Sequence, residues 1–93
     1  MVVALVLINV ERAKVEPVAQ ALLKLEGVSE VFSVAGQYDL VALLRAPNNE
    51  QIAEVITGHM RDIPHITRTE TLMAFKAFSK DDLGAMFSIG ATE

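Results

Sequence analysis

The chain has no cysteine and no tryptophan, one tyrosine, three prolines, and only eight lysine or arginine residues among its 93. Without cysteine there is no disulfide framework, no thiolate metal site and no thiol redox chemistry, which fits a cytoplasmic protein. The shortage of cations excludes more. Twelve acidic residues against eight basic ones leave a net charge of −4 and a pI near 5.1, whereas nucleic acids and anionic membranes are held by clustered Lys and Arg. Arg12 and Lys14 are too few for such a patch, so neither direct nucleic-acid binding nor membrane attachment is expected. No apolar run approaches the ~20 residues that span a bilayer, and the opening Met1–Val10 lacks a preceding basic residue, so it reads as a buried strand. Ser33 and Ser79 have no base and orienting acid in their sequence context, no Gly-rich phosphate loop occurs, and His65 has no second histidine or acid at metal-binding spacing. His59 lies near the apolar face of a helix, where packing or solvent explains it. No catalytic residue, metal or cofactor is assigned.

What is present is apolar. A share of 52% apolar and 22% charged residues is high for one small domain, whose large surface relative to its volume should favour polar side chains. Val2–Val10 is β-branched and apolar on both faces, as in a strand covered from both sides. Val15, Val18, Leu22 and Leu25 then follow helical spacing, with Pro17 suited to the first turn and Gly27 to a C-terminal cap. Val28–Ala35 and Leu40–Ala46 flank a Gly36-Gln37-Tyr38-Asp39 corner as a hairpin. Asn48 and Gln51 resemble a capping box, behind which Ile52, Val55, Ile56 and Met60 share one face of a helix that Pro64 ends. Ile66–Phe78 alternates as a long fourth strand, with Thr67, Thr69, Thr71, Met73 and Phe75 on one side and Arg68, Glu70, Leu72, Ala74 and Lys76 on the other.

This order predicts an α+β fold, a ferredoxin-like βαββαβ sandwich with both helices on one face of the sheet. The first three strands read as apolar on both sides, so the second face needs a cover. A second copy is the simplest one, which gives a two-fold dimer packed sheet to sheet, a dimeric α+β barrel.

The run from Gly27-Val28 to Ala35, the Gly36–Asp39 corner, and Ile63-Pro64-His65-Ile66-Thr67-Arg68-Thr69-Glu70-Thr71 together resemble the effector-binding (RAM) domain of the Lrp/AsnC family of feast/famine regulators. The resemblance covers residues 2–78 and implies a ferredoxin-like protomer whose dimers assemble into rings. Full-length members carry an N-terminal helix-turn-helix, which this sequence lacks, so it is expected to act as a stand-alone module, with full-length regulators as further partners. His65 departs from the family, which usually has glycine there.

The resemblance also implies a site for a free amino acid effector built from Gly36, Gln37, Tyr38, Asp39, Thr69 and Thr71. Asp39 would take the α-ammonium as a charge-assisted hydrogen bond, Gly36 would let a ligand approach the backbone, Gln37 and Tyr38 would offer amides and a ring, and the two threonines would present hydroxyls together. Each has a structural alternative: turn residues at Gly36 and Asp39, dimer seam at Gln37 and Tyr38, strand preference at the threonines. The competing class is a small dimeric α+β-barrel enzyme of the monooxygenase type, for which only His59 offers a candidate ligand. An RNA-recognition fold shares the element order but needs aromatic and basic residues on its free face. Residues 79–93 form a tail in which Ser79 and Asp82 start a short helix with Leu83, Met86 and Phe87 on one side, expected to dock within the protomer or on a neighbouring dimer.

Overall fold

The computed structural model describes residues 1–78 and Lys80. Strand β1 (Val2–Val10) leads to helix α1 (Val15–Leu23), then β2 (Val28–Ser33), β3 (Leu40–Ala46), helix α2 (Asn49–Glu54) and β4 (Ile66–Met73). The four strands form one antiparallel sheet in the order β2-β3-β1-β4. This is the ferredoxin-like α+β architecture expected from the element order.

Register decides which residues share a face. Val6 lies opposite Ala42 and Thr71, Ile8 opposite Leu40 and Thr69, and Ala4 opposite Leu44 and Met73; directly opposed residues project to the same side. Ala4, Val6, Ile8, Leu40, Ala42 and Leu44 are fully buried, beneath Val18 and Leu22 of α1 and Ile52, Val55 and Met60 of the second helical segment. Burying one such aliphatic side chain stabilises the fold by roughly 1.5–3 kcal/mol, so this layer is the core. Val3, Leu5, Leu7, Val41 and Leu43 alternate with it on the open face and are only partly buried. Phe32, opposite Val41, and Leu72, opposite Leu5, are each 46% exposed there. The expectation of two apolar faces holds for β1 and β3 but not for β2, which exposes Ser29, Glu30 and Ser33.

Several boundaries differ from the sequence pattern, each for a local reason. Helix α1 ends at Leu23 and closes by amide bonds from Lys24 to Ala21 O and from Leu25 to Leu22 O, so Gly27 is not its cap. Gly27 instead turns the chain into β2 with φ +98, its carbonyl accepting from Arg45 N at 2.8 Å, and a Cβ there would meet Val55 Cγ2 at 3.1 Å. Strand β2 stops at Ser33, two residues early. Strand β4 stops at Met73 instead of Phe78, because its partner β1 runs out: Ala74 N still donates to Val3 O, but little of β1 lies beyond.

Asn48 caps α2 as expected, its Oδ1 accepting from Gln51 N at 2.9 Å. The helix then widens into a π turn at Val55–His59 and tightens into a 3-10 turn at Met60–Asp62. Thr57 Oγ1 donates to Ala53 O at 2.7 Å, and such back-bonding competes for the carbonyl the helix would otherwise use. Met60 still reaches the core. His65 adopts the left-handed φ of 76 that a glycine would take freely. It is held by Glu11, whose amide donates to His65 O at 2.8 Å and whose carboxylate lies 3.1 Å from Nδ1, and β4 begins at the next residue. The expected tail helix lies outside the described residues except for Lys80.

Candidate functional site

The corner between β2 and β3 sits at the end of the sheet where β1 finishes and β4 starts. Asp39 ties these elements together through three bonds: its amide donates to Ile8 O at 2.9 Å, its carbonyl accepts from Val34 N at 3.0 Å, and its Oδ2 accepts from Val10 N at 2.9 Å. The carboxylate therefore satisfies the last amide of β1, a partly buried donor that would otherwise lack a partner. Gly36 has φ +132 and open space where a Cβ would lie, so backbone conformation, and not crowding, favours glycine there. Gly36 and Gln37 are exposed, whereas Tyr38 and Asp39 are half-buried.

Tyr38 crosses to β4. Its hydroxyl donates to Glu70 Oε2, and Arg68 stands over its ring, 5.6 Å from the centroid, within range of a cation–π attraction. The phenol pKa is raised above 10.0, chiefly because Glu70 accepts its proton and secondarily by loss of water, while the positive charge of Arg68 acts in the opposite direction. Arg68 lies opposite Asn9 and Glu70 opposite Leu7, so both belong to the open face.

Thr69 and Thr71 do not join this cluster within the protomer. They lie opposite Ile8 and Val6, on the helix side of the sheet, where Thr69 borders a small open depression of about 230 Å³ with Ile56, Met60 and Arg61. The corner thus meets the charged side of β4 and not its threonine side. Sequence alternation already separated these two sets, but only the cross-strand register showed which set faces Tyr38. A larger open groove, about 470 Å³, lies at the opposite end of the sheet between the Gly27 turn and the π turn, bordered by Leu25, Pro47, Val55 and His59. Among the described residues no helix is long and apolar enough to cross a membrane.

A family model for the Lrp/AsnC ligand binding domain matches residues 3–83. The HTH-type transcriptional regulator FL11 of Pyrococcus abyssi is 33% identical over 73 residues, covering 78% of this chain and 48% of that protein. The chain spans less than half the length of the regulators it matches. Among solved structures, TTHA0845 from Thermus thermophilus has a TM-score of 0.80 at 40% identity, covering 86% of this chain and 100% of the other. The fold is also that of the feast or famine regulatory protein from M. tuberculosis complexed with L-methionine, with a TM-score of 0.72 at 22% identity over 87% of this chain and 54% of the other. A ligand-binding domain of transcriptional regulators is not an enzyme, so the monooxygenase reading falls. The chain belongs to the Lrp/AsnC family, through the ligand-binding domain that occupies most of its length.

Proposed function

We propose that the chain is an amino-acid-sensing regulatory module, which binds a free amino acid where subunits of a homo-oligomer meet. The observation that carries this reading is a polar, charged corner at the rim of an uncovered sheet face whose centre is apolar. An apolar face of this kind is the mark of a protein contact, and a cluster at its rim can report on whether that contact forms. A second copy packed sheet to sheet covers Leu5, Leu7, Val41 and Leu43 in one step, and the same surface would accept full-length family members in mixed assemblies.

Within this reading Asp39 offers its second carboxylate oxygen to the effector's ammonium, Tyr38 a ring, and Gly36 and Gln37 an accessible backbone and amide. Thr69 and Thr71 face away from the corner, so they meet an effector only at a contact with another dimer, which is the role a ring of dimers would give them. That one structural relative holds L-methionine supports an amino acid as the effector class. Calorimetric titration of the purified protein with each of the twenty amino acids, run beside size-exclusion light scattering, tests the proposal. Saturable heat with at least one of them and a mass of at least two chains is expected. Absence of binding by all twenty would remove the sensing role.

A further inference from the structure

Among the described residues β4 has a paired strand on one side only. The order β2-β3-β1-β4 makes it an edge of the sheet, and from Arg68 to Met73 it keeps one unbroken register against β1. Edge strands are usually blunted by bulges, prolines or lysines, because their open backbone groups invite another strand. The opposite edge, β2, is interrupted by a register shift between Val28 and Glu30. From Arg68 to Met73 the β4 edge has none of these devices, and its residues are exposed.

One bond fixes which backbone groups face outward. Ala74 N donates to Val3 O at 3.0 Å, so Ala74 turns its polar groups toward β1, and alternation gives the same direction to Leu72, Glu70 and Arg68. Thr69, Thr71 and Met73 turn theirs outward. An antiparallel strand added there must match outward residues with outward residues, which allows only every second register. For a second β4 related by a two-fold axis, the register centred on Thr69 sets Arg68 opposite the partner's Glu70, Glu70 opposite the partner's Arg68, and Thr71 opposite the partner's Thr67. The charged pairs then occupy the positions between hydrogen-bonded pairs, where opposed side chains lie closest. The two adjacent allowed registers, centred on Arg68 or on Glu70, set arginine against arginine or glutamate against glutamate. Opposite charges across strands stabilise and like charges destabilise, so the sequence selects the first register and rejects its neighbours.

Both charges are available within the protomer. The Tyr38 hydroxyl engages Glu70 through Oε2 alone, Arg68 stands over the Tyr38 ring, and the single ion pair among the described residues is His65 with Glu11. We infer that the β4 edge is an interaction surface for the β4 edge of a second copy, paired antiparallel about a two-fold axis at Thr69, so that two sheets join into one. This rests on the sheet-to-sheet dimer proposed above and adds a different contact, between dimers. One strand pair alone is marginal in water, but each dimer carries two β4 edges, and the contacts of a closed assembly reinforce one another. The same contact brings Thr69 and Thr71 against another dimer.

The test is a charge exchange read by light scattering. The intact chain should have a mass above two chains. Arg68→Glu and Glu70→Arg, each alone, set like charges opposite one another and should reduce the mass to two chains, with thermal melting confirming that the variants stay folded. Mixing the two variants in equal amounts should restore the larger mass, because each then meets its opposite charge in the other. Thr69→Pro, which removes an outward amide and no bond to β1, should also leave two chains. A larger mass that survives both single charge variants, or that the mixture fails to restore, overturns the edge pairing while the sheet-to-sheet reading stands. An intact mass of two chains also overturns it, and a rise on cutting the chain after Phe78 would then assign the edge to the chain's own tail. An intact mass of one chain shows that the sheet-to-sheet reading has itself failed, and the edge pairing with it.

Discussion

The two faces of the sheet are made from the same kinds of residue and have opposite fates. Ala4, Val6, Ile8, Leu40, Ala42 and Leu44 are sealed by the helices, while Val3, Leu5, Leu7, Val41 and Leu43 lie one residue away along the same strands and are only partly covered. Alternation along a strand assigns residues to faces, but it does not say which face the chain covers by itself. Connection does: both crossovers bring their helices to the same side. The apolar remainder on the other side is therefore not surplus core. It is the surface that, in the reading proposed above, a second copy covers.

The sharpest way to break this comparison is a charge on each face. Leu7→Lys places an ammonium in the open face, and if a second copy covers that face, each buried and unpaired charge costs about several kcal/mol. The expected outcome is loss of the assembly, seen as a fall to the mass of one chain in light scattering. An unchanged mass would show that the open face is not the seam. On the helix side, Leu44→Ala should lower unfolding stability by about 2–5 kcal/mol, the range for emptying a well-packed aliphatic site. That loss should carry no dependence on protein concentration, unlike damage to an intersubunit face, and denaturant titrations at two concentrations distinguish the two.

Where the faces meet the corner, effects become smaller. Asp39→Ala removes the acceptor for Val10 N and should cost about 1.5–3 kcal/mol of stability, the scale of a hydrogen bond to a charged group, together with loss of amino-acid binding. Asp39→Asn should recover much of the stability, because its amide oxygen still accepts, but little of the binding. Equal loss of binding and stability across both variants would reduce Asp39 to a strand-end residue.

The smallest effect is spectroscopic. Tyr38 is the only tyrosine in the chain, so phenolate absorbance reports on it alone. Its midpoint should lie above 10.0, because Glu70 accepts its proton. A raised folded-state value means that the stabilisation from this contact is fully present below the unfolded tyrosine pKa and is lost as pH rises through the folded one. Glu70→Ala should bring the midpoint down, and Arg68→Gln should move it further up, since Arg68 favours the phenolate. Movement in the same direction for both variants would show that the cluster is not assembled as described.

The boundaries that departed from the sequence pattern share a cause. The alternation of Ile66–Phe78 continues past Met73 because each residue carries its own preference, but a strand needs a partner, and β1 supplies none beyond its start. Gly27 is conspicuous by identity, yet whether it caps a helix or turns the chain against Arg45 and Val55 depends on where α1 closes. The capping pattern at Asn48 was legible because cap and amide lie three residues apart. His65 shows the reverse case: a residue with no glycine-like freedom holds a glycine-like backbone, supported by Glu11 from across the fold.

The candidate site divides along the same line. The Gly36–Asp39 corner was readable as a polar interruption between apolar runs, and Arg68 and Glu70 were readable as one side of a strand opposite the threonines. That Tyr38 reaches the charged side, leaving Thr69 and Thr71 on the other, was not readable from either segment. Element order, the apolar excess and the helical faces came from spacings of two to four residues, which the chain carries within itself. The pairing of β1 with both β3 and β4, and with it the meeting of Tyr38, Arg68 and Glu70, joins residues roughly thirty to seventy positions apart. Only the folded sheet decides those contacts, because register is set by the whole core closing on one face at once.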